Sequence, residues 1–452
     1  TTLRWQEEVA KIVRRIQPDC FLVTGNGLAT EIKGGLFTWI PELDAIARSE
    51  GDGIILDICK DGKLVKEKGI KKAVNSGKLS KGYSGEILNK HRFIYEGFRP
   101  SNLDDIPYAA IDLLESDPYG YNVLEDYINT PVWGIAANNS SATPFTMKRS
   151  LTSVSSRGCP YNCAFCYRGA QGERNYGMRS CEHIALQIRG YVDKYDLDFI
   201  GFPDDNFAVD KRRIKKMVPV FKEYGLDHVR WGTHTRMDEA DARAYDMAES
   251  GCVYIGFGAE SADEYTLTRM QKGGFILKNG LVPTKVNGNT YQFPKTMMTA
   301  VETCADAGIH ANCTWIMAYP GEDLKHLKTS VAFILWQQQF WTKGHQKGTE
   351  TYERLRDGVN RAMFTATAYP GTEMWKVVRR DLQKHFNINF DGMGEPVCDD
   401  NFHNYVLELD DATKILNDKD GNPVNFGEMS MDKFLQAREH IDNDNIEKIL
   451  EM

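Results

Sequence analysis

Three cysteines stand within eight positions in RGCPYNCAFC, at Cys159, Cys163 and Cys166, in a chain that holds ten. Thiolates this close are metal-ligand chemistry. Their neighbours Arg157, Gly158, Pro160 and Asn162 are loop formers, not the surroundings of buried thiols. A zinc knuckle asks for four tetrahedral ligands, as two CxxC pairs or with histidines close by. Here the nearest histidine is His183, and there is no second cysteine pair. An iron–sulfur cubane is ordinarily held by four cysteines, so three would leave one iron open to a substrate or cofactor. Zinc and cluster both stay open at this point; the rest of the chain must decide.

From about residue 147 strands and helices alternate. Strands are expected at 150–156, 197–202, 228–235, 252–258, 310–317 and 361–367, with helices at 181–195, 211–225, 239–251, 294–308 and 324–341. Strict alternation predicts an α/β fold with a parallel sheet and right-handed crossovers. Six units predict a partial barrel whose chemistry sits at the carboxyl ends of its strands. Polar clusters, three of them with a glycine, follow each strand in turn: RGCPYNCAFC, PDDNF, RMD, AESADE, AYPGED and AYPGTE. Six clusters on one rim form an active site, where one or two would be ordinary turns.

The CxxxCxxC spacing, with the aromatic Phe165 before the last cysteine, resembles the radical SAM superfamily. The resemblance implies a partial (βα)6 barrel and a [4Fe–4S] cluster on Cys159, Cys163 and Cys166. Its open iron would take the amino and carboxylate groups of S-adenosylmethionine (SAM). Carried over by position, the SAM contacts are Phe165, Asp204 and Asp205 in FPDDNF, Arg236 in THTRMD, and Glu260 with Lys272 in GFGAESADEYTLTRMQKG. An arginine fork suits a carboxylate. Glu260 would hold the ribose hydroxyls. Asp205 reads equally as a helix cap before KRRIKK. Tyr319 in WIMAYPGED and Tyr369 in TAYPGTEMW would face substrate, with core packing as the plain alternative. The chemistry so implied is reductive cleavage of SAM to a 5′-deoxyadenosyl radical, fed by an electron donor such as flavodoxin or ferredoxin.

The front of the chain narrows the family. PDCFLVTGNGLATE and ARSEGDGIILDI resemble segments of the cobalamin-binding domains fused to radical SAM barrels, and NLDDIPYAAIDLL resembles the linker that follows them. The implied cobalamin contacts are Gly25, Asn26, Gly27, Glu50 and Gly51, where glycines would let the backbone approach the nucleotide tail. Tight turns after strands are their plain alternative. Asn26 and Gly27 stand where the family often has Gly-Pro, and its earlier βαβ units are absent. The chain starts with Thr on an amphipathic helix, which reads as lacking its true N-terminus. The expected division is 1–75, the C-terminal part of a Rossmann-like cobalamin-binding domain; 76–146, a wrapping linker; 147–380, the radical SAM barrel; and 381–452, a small α+β extension. The Asn-Gly steps of 273–293 predict a hairpin at the same rim.

At 452 residues, 42% hydrophobic and 26% charged, the chain fits two or three globular domains. A net charge of −8 argues against a duplex nucleic-acid binder. The Lys-rich run 60–81 reads as a solvated hairpin or linker. No apolar stretch approaches the roughly 18 residues of a membrane span. The start is not a signal peptide, and seven other cysteines are scattered like free thiols, so a cytoplasmic location is expected. The leading expectation is a cobalamin-dependent radical SAM methyltransferase acting on an unactivated carbon of a small molecule or peptide. The alternatives are a cobalamin-binding member catalysing a rearrangement or oxidative cyclisation and, outside enzymes, an Fe–S interaction module. The methylthiotransferase branch needs three more cysteines up front, and only Cys20 and Cys59 precede the motif.

Overall fold

The computed structural model describes residues 2–130, 147–167, 175–409 and 414–452. The chain divides into two compact units. The first gathers 1–101, 165–174 and 367–424; the second gathers 102–164, 175–366 and 425–452.

The first unit carries β1 (Val23–Thr24), β2 (Ala45–Arg48), β3 (Tyr83–Ile87) and β4 (Lys90–Glu96), in the order β1-β2-β4-β3. β1, β2 and β4 are parallel neighbours, and β3 returns antiparallel on the outer edge. Ala45, Ile54, Phe93 and Tyr95 form a buried cluster, with Phe21 edge-on to Phe93 at 5.0 Å. The Lys-rich run is not a hairpin or linker. It folds as helices Ile55–Lys68 and Ile70–Asn75. Ile54, Ile58, Asp61 and Val65 recur at helical spacing, and Ile58 and Val65 pack on that cluster. Asp61 is buried on the same face and accepts from Ser80 N at 2.9 Å and Tyr95 OH at 3.0 Å. The β3–β4 hairpin carries this sheet past residue 75 into the expected linker.

The second unit is a six-stranded, all-parallel, curled half-barrel, as the alternation implied. Its strands are β5 (Ser150–Thr152), β6 (Phe199–Phe202), β7 (Arg230–Thr235), β8 (Cys252–Glu260), β9 (His310–Met317) and β10 (Phe364–Thr365), neighbours in chain order. Helices Cys181–Tyr195, Lys211–Glu223, Arg243–Glu249, Lys295–Asp306 and Leu324–Thr342 make the crossovers. Phe199, Phe202, Trp231, Phe257 and Trp315 are fully buried in its core. β10 is shorter than expected: the Ala366 N–H still reaches the Met317 carbonyl, and from Thr367 the chain belongs to the first unit.

The 273–293 segment is a hairpin, Leu281–Val286 paired with Asn289–Pro294. Asn287 and Gly288 both take left-handed φ, +48° and +83°, as a two-residue type I′ turn requires. Past residue 380 the regular elements are helices, among them Asp400–Glu408 and Met431–Asp442. The β content there among the described residues is two isolated bridges, Phe390–Pro396 and Asn417–Pro423. Part of the expected linker, including Pro131 and Pro144, and the end of the cysteine motif, Arg168 and Gly169, lie outside the described residues. Among the described residues no helix is long and apolar enough to cross a membrane.

Candidate active site

In the second unit the strand ends build one bonded rim. Asp204, after β6, is 3% exposed. It accepts from Ser155 N at 2.8 Å, Ser155 Oγ at 2.5 Å and Ser156 Oγ at 2.6 Å, fixing the chain where it leaves β5. Burial pushes its carboxyl up, opposed by the charge of Arg213, which itself bonds Ser155 Oγ and lies 4.8 Å from the Phe207 ring centre. Asp204 is therefore fully committed to holding the loop. Asp205 reaches the loop directly and accepts from Gly158 N at 2.9 Å. Gly158 has φ +80°, a conformation only glycine takes at low cost.

Arg236, after β7, is 6% exposed. Its guanidinium lies 3.9 Å from the Tyr161 ring centre, donates to Asp238 at 2.9 Å and places an N–H 3.6 Å from the Cys163 sulfur. Tyr161 OH donates to Glu239 at 2.8 Å, and Glu239 also accepts from Thr235 Oγ1 at 2.7 Å and Asn206 Nδ2 at 3.2 Å. The loop is pinned on its far side too, by Ala164 N to the Met270 carbonyl at 2.9 Å and Asn162 Nδ2 to Gln271 at 3.3 Å.

Glu260 ends β8 with φ +65° and pairs with Lys272 at 3.2 Å. The Lys272 ammonium also bonds the Gly258 carbonyl. A Cβ on Gly258 would stand 2.4 Å from Glu260 Oε1, so glycine is what lets this pair close. Tyr319, after β9, is 3% exposed, and burial pushes its phenol up to about 12. Its hydroxyl lies 3.5 Å from the Arg269 carbonyl. In the same loop Glu322 is fully buried. Its Oε2 accepts from Ala318 N at 2.6 Å, its Oε1 has no partner, and burial pushes the carboxyl up to about 8.

This donor set suits thiolate chemistry. Cys159 and Cys163 are partly buried in the second unit, and the Arg236 cation lies against the Cys163 sulfur; burial raises the Cys159 thiol, which works against its thiolate form. Among the described residues no three His, Cys, Asp or Glu side chains converge on a single-ion site, which is what zinc would need. A cubane takes each cysteine at a separate iron and does not require such convergence. Phe165 and Cys166 fall in the first unit, two and three residues on along the chain from Cys163.

Also in the first unit, Asn26, Gly27, Glu31, Tyr167, Tyr369 and Pro370 help line an apolar cavity of ≈470 Å³. Tyr167 directly follows Cys166. Its hydroxyl donates to the Gly27 carbonyl at 3.2 Å, and a Cβ on Gly27 would stand 3.0 Å from its ring. Burial raises the Glu31 carboxyl. Asn26 takes φ +70°. Glu50 bonds Arg99 at 2.5 Å, and a Cβ on Gly51 would meet nothing within 4 Å. Gly25 caps the start of helix Asn26–Ile32. So Gly27 gives room to a tyrosine of the cysteine motif, a packing role that glycine spacing alone did not reveal.

Glu239, Tyr161, Arg213 and Glu322 were missed from sequence. The first lies one residue beyond the quoted THTRMD, and only its three bonded partners distinguish it from a solvated surface acid.

Residues 153–334 match the radical SAM superfamily profile. An uncharacterized methyltransferase of Pyrococcus horikoshii is 26% identical over 373 residues, 81% of this chain and 65% of that protein. Among solved structures, the cobalamin-dependent S-adenosylmethionine radical enzyme OxsB, with aqua-cobalamin and S-adenosylmethionine bound, aligns with TM-score 0.57 at 17% identity. That alignment covers 86% of this chain and 53% of OxsB. The radical S-adenosylmethionine methyltransferase TsrM from Kitasatospora setae, with tryptophan substrate and a SAM analog bound, aligns with TM-score 0.51 at 14% identity, covering 85% and 62%. The chain thus spans less than two thirds of each of these proteins. Residues 153–334 of this chain are a radical SAM domain, a family whose members carry a [4Fe–4S] cluster and S-adenosylmethionine.

Proposed function

We propose that this chain is a cobalamin-dependent radical SAM methyltransferase acting on an unactivated carbon of a small-molecule or peptide substrate. The observation that carries the reading is the ≈470 Å³ cavity of the first unit. The turn expected to meet cobalamin (Asn26, Gly27), the residue after the third cysteine (Tyr167) and the last strand-end tyrosine (Tyr369) line it together. When bound, the cluster and SAM supply a radical that takes a hydrogen atom, and methylcobalamin supplies the methyl group. Cys159, Cys163 and Cys166 would hold the cluster. Asp204, Asp205 and Arg236 keep the loop in place through the bonds described above, Asp204 through Ser155 and Ser156. Glu260, oriented by Lys272, would take the ribose hydroxyls. Phe165 would flank SAM, and Tyr319 and Tyr369 would face substrate. Gly25, Glu50 and Gly51 complete the cobalamin side, and a flavodoxin or ferredoxin would deliver electrons.

The test is anaerobic reconstitution with cobalamin. About four irons per chain are expected. In turnover with a competent substrate, S-adenosylhomocysteine and 5′-deoxyadenosine should form in equal amounts. Formation of 5′-deoxyadenosine with no S-adenosylhomocysteine would overturn methyl transfer, and absence of both iron and SAM cleavage would overturn the radical reading.

A further inference from the structure

A second cavity lies in the second unit and reaches the cysteine loop's contacts through Arg213. It measures ≈390 Å³ and is lined by Arg179, Ser180, Asp210, Arg212, Arg213 and Lys216, among others. Ser180 and Asp210 are the N-caps of helices Cys181–Tyr195 and Lys211–Glu223, of 15 and 13 residues. The positive ends of two helix dipoles therefore meet at this cavity. Its lining holds four cations against two carboxylates, Asp104 and Asp210.

Two of these cations are buried with no carboxylate hydrogen-bonded to them, although Asp104 lies near Arg179 and Asp204 near Arg213. Arg179 is 8% exposed and bonds only neutral acceptors, Gln187 Oε1 at 2.7 Å and the Ile106 carbonyl at 3.4 Å. Arg213 is 5% exposed and bonds Tyr176 OH at 3.3 Å and Ser155, while its Nε has no partner at all. A buried guanidinium N–H left unpaired is costly, and an anion in the cavity it lines would satisfy it. Arg212 is largely exposed and pairs with Asp210 at 3.3 Å, and Lys216 holds Glu182 at 2.7 Å.

We infer that this cavity binds a phosphate-class oxyanion, either free phosphate or the phosphoryl group of a small molecule. Two guanidiniums give the planar donor forks such an anion takes, and two helix N-termini add N–H-side potential. The occupant would sit against Arg213, the side chain that also holds Ser155 four positions before Cys159.

The test is calorimetric titration of the reconstituted full chain with inorganic phosphate and with phenyl phosphate, at ionic strength fixed with potassium chloride. Both arginines that are buried stay in place. The two exposed cations are reversed instead, in Arg212→Glu/Lys216→Glu, and Lys325→Glu on helix Leu324–Thr342 serves as a remote charge control. Saturable phosphate binding is expected, weakened roughly tenfold or more by the double reversal and unchanged by Lys325→Glu. Tighter binding of phenyl phosphate than of phosphate would assign an organic phosphate; equal binding would assign the free anion. No saturable binding to the wild type, or equal weakening by all charge reversals, would overturn the site. SAM cleavage should be unaffected in the double variant, so failure here leaves the radical reading standing.

Discussion

Asp205 accepts a hydrogen bond from the Gly158 N–H at 2.9 Å, and Gly158 is the residue before the first cysteine of the motif. The loop after β6 therefore sets the entry of the cysteine loop. Asp205→Ala should weaken that order by about 1 kcal/mol, because the contact is exposed. Reconstituted iron content should fall, while Asp205→Asn, which keeps an acceptor, should retain it. Equal iron in the wild type and Asp205→Ala would show that the bond does not order the loop.

Arg213 and Asp204 act on Ser155 from two sides. Arg213→Met removes the cation that offsets the burial of Asp204, and leaves a buried carboxylate with hydroxyls alone. Destabilisation of roughly 3–5 kcal/mol is expected, measured by urea unfolding of the iron-free chain. A loss under 1 kcal/mol would mean that Asp204 is already neutral in the fold.

Glu260→Gln keeps the shape of the Lys272 pair and removes its charge. With Glu260 on the ribose, SAM affinity should drop roughly tenfold in calorimetry, and the unfolding midpoint should fall as well because Lys272 loses its counter-charge. Lys272→Met should do the reverse in weight, costing stability first, because it leaves Glu260 unpaired at a position of φ +65°.

Gly27→Ala and Gly51→Ala should part company. A methyl on Gly27 meets the Tyr167 ring at 3.0 Å, and one on Gly51 meets nothing within 4 Å. The first should cost about 1 kcal/mol or more and reduce cobalamin retention, and the second should stay within about 0.5 kcal/mol. Equal effects would argue against a packing role for Gly27.

Glu322 carries a pH signature. Its carboxyl is raised to about 8 by burial, far above its ordinary value of 4.5. The folded state then binds the proton more tightly than the unfolded state. Its contribution is fully present below about 4.5 and is lost as pH climbs through about 8. Glu322→Gln should flatten that fall, on the order of a few kcal/mol, in unfolding measured between pH 5 and 9. An unchanged slope would show that Glu322 does not titrate in this window.

Much of the half-barrel was legible because its signal is local. HANCTWIM becomes β9 at 310–317 residue for residue, and CEHIALQIRGYVDKY becomes helix Cys181–Tyr195. What escaped was encoded by packing partners distant in sequence. The run 60–81 hides Val65, which continues the apolar face begun by Ile58, among lysines, so charge density outweighed helical spacing. KRRIKK opens the expected helix 211–225, but its basic composition does not show that Arg213 within it is buried against Ser155 and Phe207. Asp204 and Arg236 were legible as rim residues, but their commitment to Ser155, Tyr161 and Cys163 emerges only from the folded rim.

The walls of the first-unit cavity come from stretches far apart along the chain: Leu3, Asn26 to Ile32, Tyr167, Tyr369 and Pro370, and Val406 with Leu409. None of these belongs to a half-barrel strand. The cavity can therefore be recut at positions 3, 406 and 409 while the strands that carry the rim stay untouched. If the proposed reading holds, a library confined to those three positions would alter what the cavity admits without touching the residues that hold the cysteine loop.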